Sequence, residues 1–206
     1  YIPTTHLSVS LENVASDYNS EDSRIDFRLS NRNKLTLYFP SDGRVTLYWE
    51  VDGAPVSSAG KFRSAFPIAV QVVPVLGPLE HNESCVSEDT VRESLNTHRA
   101  SRHFRNYWYY STENWEEFSK MVSSTWPGMV IKRPEIDIGS RQLSMFVSED
   151  RIDREGYWAG FGFQIWCQLL THISRVSEST LFAIDEPEIY LHPDVQRQLL
   201  TILRRL

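Results

Sequence analysis

Apolar and polar positions change rhythm twice along this chain. In the first third the rhythm is short. Leu35-Thr36-Leu37-Tyr38-Phe39 and Val45-Thr46-Leu47-Tyr48-Trp49 are rich in β-branched and aromatic residues. Between them Ser41-Asp42-Gly43 is a turn-forming cluster, with a Gly that accepts positive φ. A hairpin is predicted. Residues 7–11 alternate apolar with polar and predict another strand, whereas residues 16–24 are polar and read as a loop. Residues 66–75 are strongly apolar but interrupted by Pro67 and Pro74, which predicts a buried strand running into a loop at Gly77-Pro78.

The middle of the chain lengthens its period. Ser87-Glu88-Asp89-Thr90 offers capping residues ahead of Val91, Leu95 and a helical region at 100–110. A second helix is predicted over 113–124, ending before Trp126-Pro127-Gly128. Residues 129–131 and 143–147 are candidate strands. In the last third, residues 156–162 are punctuated by glycine. From Phe163 onward a helix is predicted, with Trp166, Leu169, Leu170 and Ile173 on one face. Ser177-Glu178-Ser179 breaks it. Thr180-Leu181-Phe182-Ala183-Ile184 then reads as a buried strand that stops abruptly at Asp185-Glu186-Pro187. After His192-Pro193-Asp194 a further helix carries Val195, Leu199, Ile202, Leu203 and Leu206 on one face. Helix, buried strand, helix is the order of an α/β domain with a parallel sheet.

Composition narrows the picture little further. With 206 residues, 41% hydrophobic and 12% aromatic, the chain can bury a core as one domain or a domain plus a subdomain. A formal charge of -6 argues against a broad nucleic-acid footprint on this segment. Cys85 and Cys167 are too few and too far apart for a disulfide framework or a zinc site, so a reducing cytoplasm is expected. No apolar stretch approaches the roughly 18 residues of a membrane span. The chain begins at Tyr1 and stops at Leu206 inside a predicted helix, so it reads as an excerpt of a larger protein.

The sharpest chemical signal is the strand that ends in two adjacent carboxylates. In open α/β sheets ligands bind at the carboxyl ends of parallel strands. One acid that holds magnesium and a second that polarises water is the division of labour phosphoanhydride hydrolysis needs. A strand followed by an acidic helix cap is the plain structural alternative. The second signal is Gly160-Phe161-Gly162-Phe163-Gln164, where glycines enter a helix and expose backbone N–H groups to an anion. Glycines that merely let helix and sheet pack closely would give the same pattern.

The run Asp185-Glu186-Pro187-Glu188-Ile189-Tyr190-Leu191-His192-Pro193 resembles the extended Walker B and D-loop of ABC-type ATPases. It is most similar to the branch of SMC-like, RecF-like and overcoming-lysogenization-defect-type enzymes. The glycine run occupies the place of their signature, with a departure at the usual Ser. The loop at 76–81, residues 100–106 and Trp126-Pro127-Gly128 resemble bacterial AAA-family ATP-binding proteins of the ABC-like class.

The resemblance implies a P-loop NTPase core fragment of α/β class. Its parallel strands would be joined by an antiparallel β subdomain over 1–75 and a helical insertion over 76–140, with signature, Walker B and D-loop in 141–206. It implies ATP and Mg²⁺ as cofactors, Asp185 as the metal-holding acid and Glu186 as the catalytic one. Gly160, Gly162 and Gln164 would meet ATP held by a second protomer, and His192 would face the dimer interface. Hydrolysis would drive homodimerisation and an attached effector, with nucleic acid a candidate client. No Gly-x-x-x-x-Gly-Lys-Ser/Thr occurs in the chain. The Walker A lysine is therefore expected upstream and the His switch downstream, and this segment alone should not hold ATP tightly.

Rival readings remain. A degenerate ATPase-like interaction module would lack hydrolysis. A nuclease would need further carboxylates converging on Asp185. Arg99, Arg102, His103 and Arg105 beside Tyr107, Trp108, Tyr109 and Tyr110 could contact phosphate and bases. They fit better as an amphipathic helix with buried aromatics and paired arginines. Glu80, His81 and Glu83 could form a metal trio but read better as loop residues near the nucleotide. Cys167 reads as a small core residue, and His98 and His172 have no partner legible in the sequence.

Overall fold

The computed structural model describes residues 22–40, 45–56, 58–97, 99–178 and 180–206. The predicted strand at 7–11, the Ser41-Asp42-Gly43 turn and His98 lie outside them. Backbone contacts divide the chain into two compact units, Tyr1–Ile68 and Ala69–Leu206.

The first unit is an antiparallel sheet of four strands in sequence order. These are β1 (Ser23–Arg28), β2 (Lys34–Phe39), β3 (Thr46–Val51) and β4 (Ala54–Pro55). Register places Leu35 opposite Phe27 and Trp49, and Leu37 opposite Ile25 and Leu47, so one face is apolar across three strands. The helix α1 (Ala59–Ala65) follows, and Phe62 meets Trp49 edge-on, with ring centroids 5.1 Å apart. The expected loop at 16–24 is corrected at its end, because Ser23 and Arg24 open β1. The β3–β4 turn places Asp52 and Gly53 at φ 51° and 79°, the pair of positive values a tight hairpin demands.

The second unit begins with β5 (Val70–Val73), β6 (Glu83–Ser84), α2 (Glu88–Ser94), α3 (Phe104–Tyr110) and α4 (Trp115–Thr125). Then come the short strands β7 (Met129–Ile131), β8 (Glu135–Ile136), β9 (Gln142–Ser144), β10 (Phe146–Glu149) and β11 (Ile152–Glu155). Last are α5 (Phe161–Ser174), β12 (Leu181–Ile184) and α6 (Pro193–Leu203). The predicted strand at 143–147 is two strands in different sheets: β9 lies between β6 and β8, and β10 between β11 and β7. Met145 is the break, its carbonyl accepting from the Gly156 N–H at 2.7 Å. The helical region at 100–110 likewise divides into a 3₁₀ turn, Ala100–His103, and α3.

The core gathers around α5, in which every residue from Phe163 to Ile173 is buried. The predicted face is all there, with Trp166 and Leu170 fully buried, but so are the flanks, as in a helix enclosed on every side. Trp108 stacks on Phe118 at 4.0 Å and donates from Nε1 to Thr171 Oγ1 at 2.9 Å, joining α3, α4 and α5. Cys167 sits in this core as a small apolar residue, and burial pushes its thiol pKa up.

β12 and β5 form a parallel pair, Leu181 opposite Val70 through Ile184 opposite Val73. The other sheets are antiparallel. The expectation of a fully buried strand is corrected here. Phe182 and Ile184 pack on the core, while Leu181 and Ala183 face away, because successive side chains of a strand alternate. α6 ends at Leu203, so Leu206 does not continue its apolar face and is exposed. Among the described residues no helix is long and apolar enough to cross a membrane.

Candidate functional site

The parallel pair defines the site. At the end of β12 the Asp185 N–H bonds to the Val73 carbonyl at 2.9 Å, the last rung before both strands give way to loops. Two loops therefore leave the same edge, residues 74–82 from β5 and 185–192 from β12. This is the edge at which open α/β sheets bind ligands.

On the second loop Asp185 and Glu186 are both exposed. Glu186 has φ 46°, a left-handed conformation that is uncommon away from glycine. The turn closes when the Ile189 N–H reaches the Glu186 carbonyl at 3.2 Å. A narrow crevice beside the two acids is walled by Leu76, Ile165, Leu169, Pro187 and Ile189. Two exposed carboxylates on an apolar footing are hard oxygen donors of the kind Mg²⁺ takes when phosphates complete its shell.

The first loop is held from four sides. Ser101 Oγ accepts from the Gly77 N–H at 3.0 Å, and Gln168 Nε2 donates to the Gly77 carbonyl at 2.9 Å. Gln164 Oε1 accepts from the Leu79 N–H at 2.8 Å, and Arg105 Nη1 donates to the Glu80 carbonyl at 2.9 Å. Arg105, Gln164 and Gln168 are all nearly or fully buried.

Gln164 also donates to the carbonyls of Tyr157 and Ala159, each at 2.7 Å. Its amide is thus fully engaged inside the protein. Gln164, expected from the resemblance to meet ATP of a second protomer, here positions the glycine turn against the β5 loop.

The two glycines differ. Gly160 is the N-cap of α5, with no side-chain cap and open space where a Cβ would lie. At Gly162 a Cβ would stand 2.9 Å from the Tyr190 carbonyl, closer than real side chains come. Gly162 therefore lets α5 touch the loop that carries the acids. His192 is the N-cap of α6, its Nδ1 accepting from the Asp194 N–H at 3.3 Å, with the ring otherwise exposed.

The candidate metal trio does not converge. Glu83 is buried and accepts from the Arg105 and Asn106 N–H groups at 3.0 and 2.7 Å, from Arg105 Nη1 and from Asn106 Nδ2. Glu80 pairs with Arg102 at 3.3 Å, and His81 packs against Tyr157 and Trp158. Among the described residues no group of three or more His, Cys, Asp or Glu could hold a metal ion. The basic cluster separates in the same way. Arg105 is buried between Glu83 and Glu155, Arg99 and Arg102 are exposed, and His103 is half-buried. Burial, then Arg102 and Arg99, hold the His103 imidazole below its usual range.

Between the two loops lies a cleft of about 630 Å³, lined by residues 75–81, Ser101, Arg102, Tyr157, Ile189 and Tyr190. Sequence reasoning passed over Tyr157 and Tyr190 as members of a site, since nothing local marks residues from different loops as neighbours.

Compared with known families, residues 14–206 match the model described as "AAA domain, putative AbiEii toxin, Type IV TA system". No curated protein matches the chain. The match spans nearly the whole sequence and includes both loops of the parallel pair, so the chain belongs to this family of AAA-type domains in the P-loop ATPase superfamily, whose general activity is nucleotide binding with Mg²⁺ and ATP hydrolysis.

Proposed function

We propose that this chain is the signature and Walker B portion of an ABC/SMC-like ATPase core, of the RecF-like and overcoming-lysogenization-defect-type branch. In the complete protein Asp185 holds Mg²⁺ through its water shell, and Glu186 orients or deprotonates the attacking water. Mg²⁺ supplies neutralisation of the charge that develops on the phosphates. Gly160 presents the uncapped start of α5 to ATP carried by a second copy, and His192 lies on the loop facing that copy. Binding of ATP closes the homodimer in the cytoplasm, and hydrolysis reopens it, moving an attached effector.

One observation carries this reading. The exposed Asp185-Glu186 pair stands at the carboxyl end of a parallel strand, in a loop that touches the glycine turn through Gly162 and Tyr190. Within one copy the acid-bearing loop and the glycine turn are thereby held against each other.

The test is Glu186→Gln in the full-length protein. Removing a general base costs rate rather than affinity, so ATP binding should persist while turnover falls about 10²- to 10⁴-fold. Undiminished turnover, measured as phosphate release, would take the catalytic role away from Glu186.

A further inference from the structure

We propose that the cleft beside the acid-bearing loop is a second binding site, for a single nucleotide unit whose base lies on the aromatic wall and whose phosphate pairs with Arg102. The inference goes beyond the ATPase reading and does not rest on it. Asp185 and Glu186 are not among the residues that line the cleft; they stand in an adjoining crevice that shares Leu76 and Ile189 with it, so the contacts proposed here, ring stacking and a guanidinium pair, involve neither acid.

Size and rigidity come first. About 630 Å³ lies within the range of ligand clefts, roughly 300–1,000 Å³. One wall is the loop that Ser101, Gln164, Gln168 and Arg105 clamp from both faces of its backbone. A wall held by buried polar side chains is formed before any ligand arrives, so little ordering entropy opposes binding.

The chemistry of the lining selects the ligand. Tyr157 and Tyr190 line the cleft together with His81, and each of these rings is braced from the side. His81 packs on Tyr157 at 4.8 Å, and Phe161 meets Tyr190 at 5.9 Å. Tyr190 is nonetheless 59% exposed, an aromatic surface available for a flat ring to stack on. Arg102 supplies charge. Among the described residues its ion pair is an exposed one with Glu80, a kind of contact that contributes little. A phosphate can replace it, since guanidinium pairs with phosphate in bidentate fashion. A purely apolar ligand would leave the Arg102–Glu80 pair without a role, and a basic peptide would be repelled by Arg102. A planar ring carrying an anion uses both walls.

Such a unit can come as a free nucleotide or as part of a single strand, and the same experiment separates them. The full-length protein is titrated calorimetrically in EDTA with adenosine monophosphate and with a short oligodeoxyadenylate. Arg102→Ala and Tyr190→Ala should each weaken binding about fivefold or more, and Glu80→Gln should strengthen it about threefold by freeing Arg102. All three side chains are solvent-exposed, so folding should survive, and thermal melts check that it does. Similar affinity for both probes assigns free nucleotide as the ligand, and a preference of about tenfold or more for the oligonucleotide assigns a strand. Absence of binding by both probes, or binding that Arg102→Ala and Glu80→Gln leave unchanged, overturns the proposal.

Discussion

His172 shows how a single buried side chain can set the behaviour of the protein in acid. It lies in the enclosed part of α5, 3% exposed, and its carbonyl accepts from Gln71 Nε2 at 2.7 Å. Burial, with Arg175 adding to it, pushes the imidazole down to about 4. In the unfolded chain the same ring titrates near pH 6.5. Above that value neither state is protonated and nothing is lost. Below it the unfolded chain takes up a proton that the folded protein refuses, so stability falls from pH 6.5 down to about 4. By pH 5 this amounts to about 2 kcal/mol. Urea unfolding at pH 7.5 and pH 5 should register that loss in the parent and not in His172→Gln, and parallel pH profiles for the two would exclude His172 as the cause. Nothing in the sequence announced this residue, because its surroundings come from elements distant along the chain.

At the scale of elements, the 3₁₀ turn Ala100–His103 and α3 divide sharply between neighbours. Arg102 and Arg105 stand three positions apart in what read as one basic cluster. The first is exposed and the second fully buried between Glu83 and Glu155. Removing one member of a buried pair strands the other charge, so Arg105→Ala should destabilise by about 3–5 kcal/mol. Arg102→Ala should stay within about 0.5 kcal/mol of the parent. Denaturant melts of both variants decide this, and equal effects would deny Arg105 its structural role.

The elements themselves were unequally legible. α5 and β12 followed from their periodicity and from the abrupt stop at Asp185. β1 was available and missed: Ile25 and Phe27 alternate with Arg24, Asp26 and Arg28 along it. The break at Met145 was not available. Residues 142–149 form one apolar-polar run, and only the partners on either side, β6 and β8 against β7 and β11, show that it serves two sheets. The Glu83–Arg105 bond likewise joins residues too far apart for any local pattern to register.

For the whole molecule the question is whether two copies share their sites, and the two glycines are unequal instruments for asking it. Any side chain at Gly162 meets the Tyr190 carbonyl, so a loss of activity there could come from packing alone. Gly160 has open space around its Cβ position, which makes Gly160→Asp the cleaner probe. It places a negative charge where the phosphates of the second copy's ATP would come, while leaving α5 seated. In the full-length protein this variant should load ATP as the parent does, yet sediment as a monomer with nucleotide present and fail to hydrolyse it. ATP-dependent dimerisation equal to the parent's would show that no anion approaches that helix end. The contact of Gly162 with the Tyr190 loop and the engaged amide of Gln164 could be seen only once the loops after β5 and β12 lay beside α5.

The left-handed turn at Glu186 sets thermal robustness against turnover. A residue with a Cβ held at φ 46° carries about 1–2 kcal/mol of backbone strain, which glycine does not. Glycine also gives the unfolded chain more freedom, offsetting about 0.4–1 kcal/mol of that relief. Glu186→Gly should therefore melt at the parent's temperature or slightly above it, and hydrolyse no better than Glu186→Gln. Directed evolution of this protein toward heat resistance alone would be drawn to that substitution and would select a sturdier protein that keeps Asp185 at the strand end but has lost the carboxylate proposed to activate water.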